Sequence, residues 1–199
     1  MERCAAVQVK EPAENKGKWL NYYPGYKKLY IELGCGKGRF TAETAKNEPD
    51  ALFVAIERVP DAMVMAMERT VNENIRNIRY IDGDAAALSE MFEKGEADRI
   101  YINFCDPWPG GKKHAKRRLT APGFLKIYKE ILNDTGEIHF KTDNLPLFEY
   151  SLEQFAECGY ELLEVTNDLH ANGINGIMTD YEEKFHLQGI KINRCVAKK

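Results

Sequence analysis

The sequence predicts an α/β protein: five strand–helix units and a closing pair of strands, joined in one seven-stranded, mostly parallel sheet with helices on both faces. Three observations carry that prediction. Short apolar strands alternate along the chain with amphipathic helical stretches. The first strand, residues 29–33, runs without a break into Gly34-Cys35-Gly36-Lys37-Gly38 and then a helix at 40–46. Acidic residues stand at or just beyond the ends of strands one to five, where open α/β sheets bind ligands.

Each element follows from its own pattern. Residues 1–28 are polar, with Lys10, Lys16, Lys18, Lys27 and Lys28 set around Trp19, Tyr22, Tyr23 and Tyr26. They are expected to form an arm packed on the domain that occupies 29–199, although basic residues among aromatics also suit nucleic acid. Gly34, Gly36 and Gly38 let a ligand approach the backbone closely, and Glu32 adds a carboxylate at the same loop. A second strand, 51–57, ends in Glu57, placed to accept hydrogen bonds from ribose hydroxyls or to cap the next helix. In that helix, 61–74, Met63, Met67 and Val71 recur every fourth residue and mark a core face. A third strand, 78–81, leads to Asp84, which suits either an adenine amino group or a plain turn cap.

The fourth strand alternates Ile100, Ile102 and Phe104 against Tyr101 and Asn103, then stops at Asp106-Pro107-Trp108-Pro109-Gly110-Gly111. Two prolines and two glycines forbid both helix and ladder there. A helix at 122–132 turns Phe124, Tyr128 and Ile131 inward, and a fifth strand at 136–142 ends at Asp143-Asn144. Leu145, Phe148, Leu152 and Phe155 mark another helix, and 160–166 a sixth strand. Residues 167–183 read as a long loop, functional by its length. Phe185, Leu187, Ile190 and Ile192 read as the seventh strand, antiparallel to the sixth because no helical crossover separates them.

Composition narrows the function. With 28 basic and 31 acidic residues the net charge is −3, so any nucleic-acid binding falls to local patches. No apolar run approaches the roughly 18 residues of a membrane span, and the N-terminus lacks the apolar core of a secretory signal. The five cysteines are scattered, against a disulfide framework or a zinc knuckle and in favour of a reducing, cytoplasmic setting with no metal. One basic patch stands out: five of the seven residues from Lys112 to Arg118 are Lys or Arg, directly behind Asp106 and Trp108. The acids Glu32, Glu57, Asp84, Asp106 and Asp143 are poor company for a pyrophosphate and good company for a cationic ligand carrying an adenosine.

Taken together, KGKW at 16–19, IELGCGKG at 31–38, AIER at 55–58, DPWP with its basic run at 106–118, KTDN at 141–144 and TDYEEKF at 179–185 resemble the bacterial tRNA (guanine-N7-)-methyltransferases. The glycine loop alone fits any class I methyltransferase; the last three motifs are more specific. The resemblance implies a Rossmann-like, S-adenosylmethionine-dependent fold with an antiparallel last strand. It implies cofactor contacts from Glu32, Gly34, Gly36, Gly38, Glu57, Asp84 and Asp106, with Asp106 also catalytic. For the tRNA it implies substrate contacts from Lys112, Asp143, Thr179, Asp180, Tyr181 and Glu182, and RNA contacts from Lys113, His114, Lys116, Arg117 and Arg118. The chain is then a cytoplasmic monomer or homodimer. Here Gly110-Gly111 intervene before Lys112, where relatives often carry lysine at once. Trp108 suits either stacking on a base or bracing the turn.

Three rivals compete with this reading. Asp-Pro-Trp-Pro also resembles the turn of enzymes that methylate an exocyclic amine. A nicotinamide-dependent oxidoreductase would use the glycine loop and leave the acids and the cationic loop unexplained. An RNA-binding protein on a decayed methyltransferase scaffold would not need intact acids.

Overall fold

The computed structural model describes residues 4–199 apart from the Lys112 side chain, so the substrate assignment of Lys112 lies outside the described residues, as do Met1 to Arg3 of the arm. In chain order the elements are α1 (Trp19–Tyr22), β1 (Lys28–Leu33), α2 (Arg39–Asn47), β2 (Ala51–Glu57), α3 (Pro60–Asn72), β3 (Ile78–Asp82), α4 (Leu88–Met91) and β4 (Ala97–Asn103). They continue as α5 (Lys112–Ala115), α6 (Pro122–Ile131), β5 (Leu132–Thr142), α7 (Leu145–Glu157), β6 (Glu161–Thr166), α8 (Asp180–Leu187) and β7 (Asn193–Lys198).

The seven strands form one sheet in the order β3-β2-β1-β4-β5-β7-β6. β1 to β5 run parallel, and β7 is antiparallel to both of its neighbours, β5 and β6. The strand order reverses between β1 and β4, so a crevice opens there, beyond their carboxyl ends. The glycine loop follows β1 and the Asp106 turn follows β4, which places the two motifs on either side of it.

Both faces of the central strands are covered, which is why β2 reads as an unbroken apolar run, ALFVAI, rather than an alternating one. On one face Phe40, Met63 and Met67 of α2 and α3 pack on Tyr30, Phe53, Tyr80 and Tyr101. On the other, Leu125, Tyr128, Phe148 and Phe155 of α6 and α7 pack on Ile31, Val54 and Phe140. The arm closes two weak points. Val9 N–H donates to Tyr80 O and Tyr80 N–H to Val7 O, covering the β3 edge. Trp19 is fully buried, stacks on Phe92 at 5.4 Å and donates Nε1–H to Met91 O at 3.0 Å.

Two expectations are corrected. Residues 180–187 form α8, so the long loop ends at 179 and the strand read from Phe185, Leu187, Ile190 and Ile192 does not exist. The seventh strand lies beyond it, at 193–198. Thr179 starts the helix as an N-cap: its Oγ1 accepts from Glu182 N, while Glu182 Oε2 accepts from Thr179 N. That reciprocal pair satisfies two amides and outweighs the two-residue apolar alternation. β5 also begins at Leu132, ahead of the expected 136.

Candidate active site

The glycine loop is built from two kinds of glycine. Gly34 and Gly36 have φ of +76° and +55°, and a Cβ on either would meet nothing within 4 Å; they leave open room beside the crevice. At Gly38 an added Cβ would lie 2.6 Å from Ala66 Cβ, so that glycine lets α2 and α3 approach each other. Glu57 holds the loop from the next strand: its carboxylate accepts from Gly36 N at 2.8 Å, Arg58 N at 2.8 Å and Val59 N at 2.9 Å. Glu32 is buried beneath the loop, where Thr41 Oγ1 and Asn103 Nδ2 both donate to it. Burial pushes its carboxyl up to about 7, against the pull of those two hydrogen bonds. Asn103 Oδ1 has no partner, so this corner retains an acceptor as well as an acid. Asp84 caps the turn at Ala86 N, 2.9 Å, and its other oxygen lies 3.2 Å from Arg58 Nη1.

Beyond β4 the backbone enters the left-handed region twice, at Phe104 (φ 52°) and Trp108 (φ 42°), and Asp106 stands between them. Its carboxylate is exposed and makes no hydrogen bond or ion pair among the described residues. The cationic loop folds back over this turn. Arg117 lies over the Trp108 ring at 3.7 Å, and His114 Nδ1 donates to Pro109 O at 3.0 Å. Arg118 Nε donates to Pro107 O at 2.8 Å. Lys113, Lys116 and Arg117 are exposed, whereas Arg118 is half-buried. Cys105 is no nucleophile beside Asp106, because burial, aided by the Asp106 charge, pushes its thiol up to about 12.

KTDN divides its labour. Lys141 Nζ donates to both oxygens of Glu182 and to Ile177 O; Thr142 Oγ1 accepts from Asn144 N; Asn144 Oδ1 caps α7 at Leu147 N. Asp143, just beyond the carboxyl end of β5, is half-buried and without a hydrogen bond or ion pair among the described residues. TDYEEKF divides likewise. Glu182 is fully buried, bound to Lys141 and to His170 Nε2 at 3.0 Å. His170 Nδ1 accepts from Asn175 N, which fixes the tautomer that donates to Glu182. Asp180 and Glu183 both pair with Arg39, the first residue of α2, and Phe185 packs on Phe104 at 5.9 Å. Tyr181 remains 63% exposed. α8 is thereby clamped across the crevice, from the glycine loop to the end of β4.

A family model described as "Putative methyltransferase" matches residues 26–195. The chain is 44% identical over 199 residues to the tRNA (guanine-N(7)-)-methyltransferase of Listeria monocytogenes serotype 4b, covering 100% of this chain and 92% of that protein. The chain belongs to the tRNA (guanine-N(7)-)-methyltransferase family. Its fold matches the 16S rRNA methyltransferase KamB with a TM-score of 0.69 at 14% identity, over 92% of each chain. It also matches a 16S rRNA (adenine(1408)-N(1))-methyltransferase from Catenulisporales acidiphilia, solved with cosubstrate SAM, with a TM-score of 0.61 at 12% identity, over 92% of this chain and 89% of that one.

The residues of this methyltransferase suit a sulfonium cofactor with an adenosyl end. Gly34 and Gly36 leave room for it, Glu57 and Asp84 carry acceptors at the ends of their strands, and Glu32 and Asn103 Oδ1 lie buried beneath the glycine loop. Among the described residues no three His, Cys, Asp or Glu side chains are arranged to hold a metal ion, and no helix is long and apolar enough to cross a membrane. Arg39, Thr41, Asn103 and His170 escaped sequence reasoning. Only the T-x-x-E spacing of Thr179 and Glu182 announced any part of that network.

Proposed function

We propose that the chain transfers the methyl group of S-adenosylmethionine to N7 of a guanosine in the variable loop of tRNA, forming 7-methylguanosine. The observation that carries this is the exposed Asp106, unpaired among the described residues and set at the switch point between the glycine loop and a cationic loop, in a chain of that family. In this reading the arm is residues 1–28 and the methyltransferase domain 29–199, working in the cytoplasm as a monomer or homodimer.

When bound, the cofactor supplies an electrophilic methyl group on a sulfonium. Glu57 would accept from the ribose beyond the three amides it holds, Asp84 would accept from the adenine amino group, and Glu32 would set its carboxylate toward the cationic end. Guanine N7 carries a lone pair, so no proton need leave before attack; the N7–C bond forms as the S–C bond breaks, and the positive charge passes to the purine. The task of the protein is alignment and charge stabilisation. Asp106 holds the N–H edge of guanine and faces the charge that develops. Lys112, Asp143, Thr179, Asp180 and Tyr181 contact the nucleotide, and Glu182 orders that segment from within. Lys113, His114, Lys116 and Arg117 take the RNA backbone.

Unmodified tRNA incubated with protein and methyl donor is expected to yield 7-methylguanosine on digestion. Changing the variable-loop guanosine to adenosine removes it. Asp106→Asn keeps the size and loses the charge, and is expected to slow single-turnover transfer by about 10²–10³. Recovery of the methyl group on an exocyclic amine would replace this reading with the rival one.

A further inference from the structure

Arg118 closes the basic run, and its sequence position groups it with the cations that take phosphate. The structure uses it otherwise. Nε donates to Pro107 O at 2.8 Å, Nη2 reaches Trp108 O at 3.5 Å, and the guanidinium lies over the Tyr150 ring at 4.3 Å. Tyr150 belongs to α7, so the contact ties the turn after β4 to a helix packed on the sheet. The two carbonyls it holds are those directly after Asp106.

That turn needs holding. Phe104 and Trp108 occupy left-handed backbone that is strained for L-residues, a conformation that persists only where neighbours over-determine it. Pro107 and Pro109 supply no N–H groups, so the turn has little capacity to bond itself. A planar fork stacked on an aromatic face satisfies carbonyls in a fixed direction, which a lysine ammonium on a flexible stem does not.

We propose that Arg118 is a positioning residue for the transfer step, which fixes the Asp106 carboxylate through the carbonyls of Pro107 and Trp108 and takes no phosphate of the RNA. This rests on the role given to Asp106 above. The same wild-type assay separates the two: absence of 7-methylguanosine from the wild-type reaction defeats that role before Arg118 is at issue.

Arg118→Lys is the decisive variant, since it keeps the charge and removes the fork. It is expected to slow single-turnover transfer, at saturating tRNA and cofactor, by about 10–100-fold, the scale of a small misplacement at a reacting centre. Arg118→Ala is expected to do the same with the salt dependence of tRNA binding unchanged, and millimolar guanidinium ion to restore part of its rate. A near-wild-type rate for Arg118→Lys overturns the proposal. So does an Arg118→Ala salt slope shallower by about one unit, the mark of a lost phosphate contact.

Discussion

Glu32 shows how much a single burial decides. Its carboxyl is raised to about 7, so the folded apoprotein favours the neutral form below that pH. For an acid raised in this way, the associated stability is complete below the ordinary carboxylate range and is lost as pH rises through 7. A cationic ligand acts in the opposite sense, because it favours the ionised form. S-adenosylmethionine affinity is therefore expected to climb with pH, by up to about tenfold per unit below 7, and to level off above it. Binding then releases a proton, which calorimetry in buffers of different ionisation enthalpy detects. Glu32→Gln is expected to flatten the profile. A wild-type affinity that stays constant from roughly pH 5.5 to 8 would remove Glu32 from the cationic end of the site. Glu57 is a different case: because it accepts from Gly36, Arg58 and Val59, its truncation loosens the loop as well as any ribose contact.

At the scale of elements, the segment from β6 to α8 is organised around a buried ion pair, with the Arg39 clamp outside it. Lys141 and Glu182 are both buried, and His170, Asn175, Ile177 and Thr179 attach to them directly or in turn. Burial lowers the Lys141 pKa in spite of the Glu182 charge, so an unpaired ammonium there is costly. Glu182→Ala is expected to speed amide exchange over 168–187, with up to about 3–5 kcal/mol of local protection lost, while β1 to β4 stay protected. Lys141→Met combined with Glu182→Leu is expected to recover part of that loss, since an apolar pair replaces an orphaned charge. Unchanged exchange in Glu182→Ala would show that the segment is held by something else. The same segment marks the limit of sequence reading. Six strands, the glycine turn and the acids at the strand ends were legible because periodicity and turn chemistry agree there. Phe185, Leu187, Ile190 and Ile192 alternate as a strand would, yet Leu187 is 81% exposed, because the helix cap at Thr179 and the clamp on Arg39 set the conformation. The true last strand, NRCVAK, hides its buried Cys195, Val196 and Ala197 between charges. Asn103 and His170 were silent, since each matters only through a partner distant in sequence.

Across the whole molecule, a chain of net charge −3 must attract a polyanion to an edge lined with carboxylates. Topology answers this by concentrating cations, at the carboxyl end of the sheet, in the loop that follows β4. Lys113, Lys116 and Arg117 project there, with Arg118 turned inward. Lys27 and Lys28 lie at the start of β1, the opposite edge, and Lys27 is already paired with Asp50 at 3.3 Å. A strand of six residues separates the two groups by about 20 Å, more than twice the screening length at physiological salt. Their contributions to RNA binding are therefore separable. Replacing Lys113, Lys116 and Arg117 together with alanine is expected to weaken tRNA binding and to flatten the log–log salt slope by about two to three units. S-adenosylmethionine affinity is expected to hold, because none of the three reaches the glycine loop. Replacing Lys27 and Lys28 is expected to leave the slope within error of wild type. Titrations of tRNA at several salt concentrations decide between the two edges. If the slope falls with Lys27 and Lys28 and survives loss of the loop cations, the RNA lies along the arm and not over the crevice.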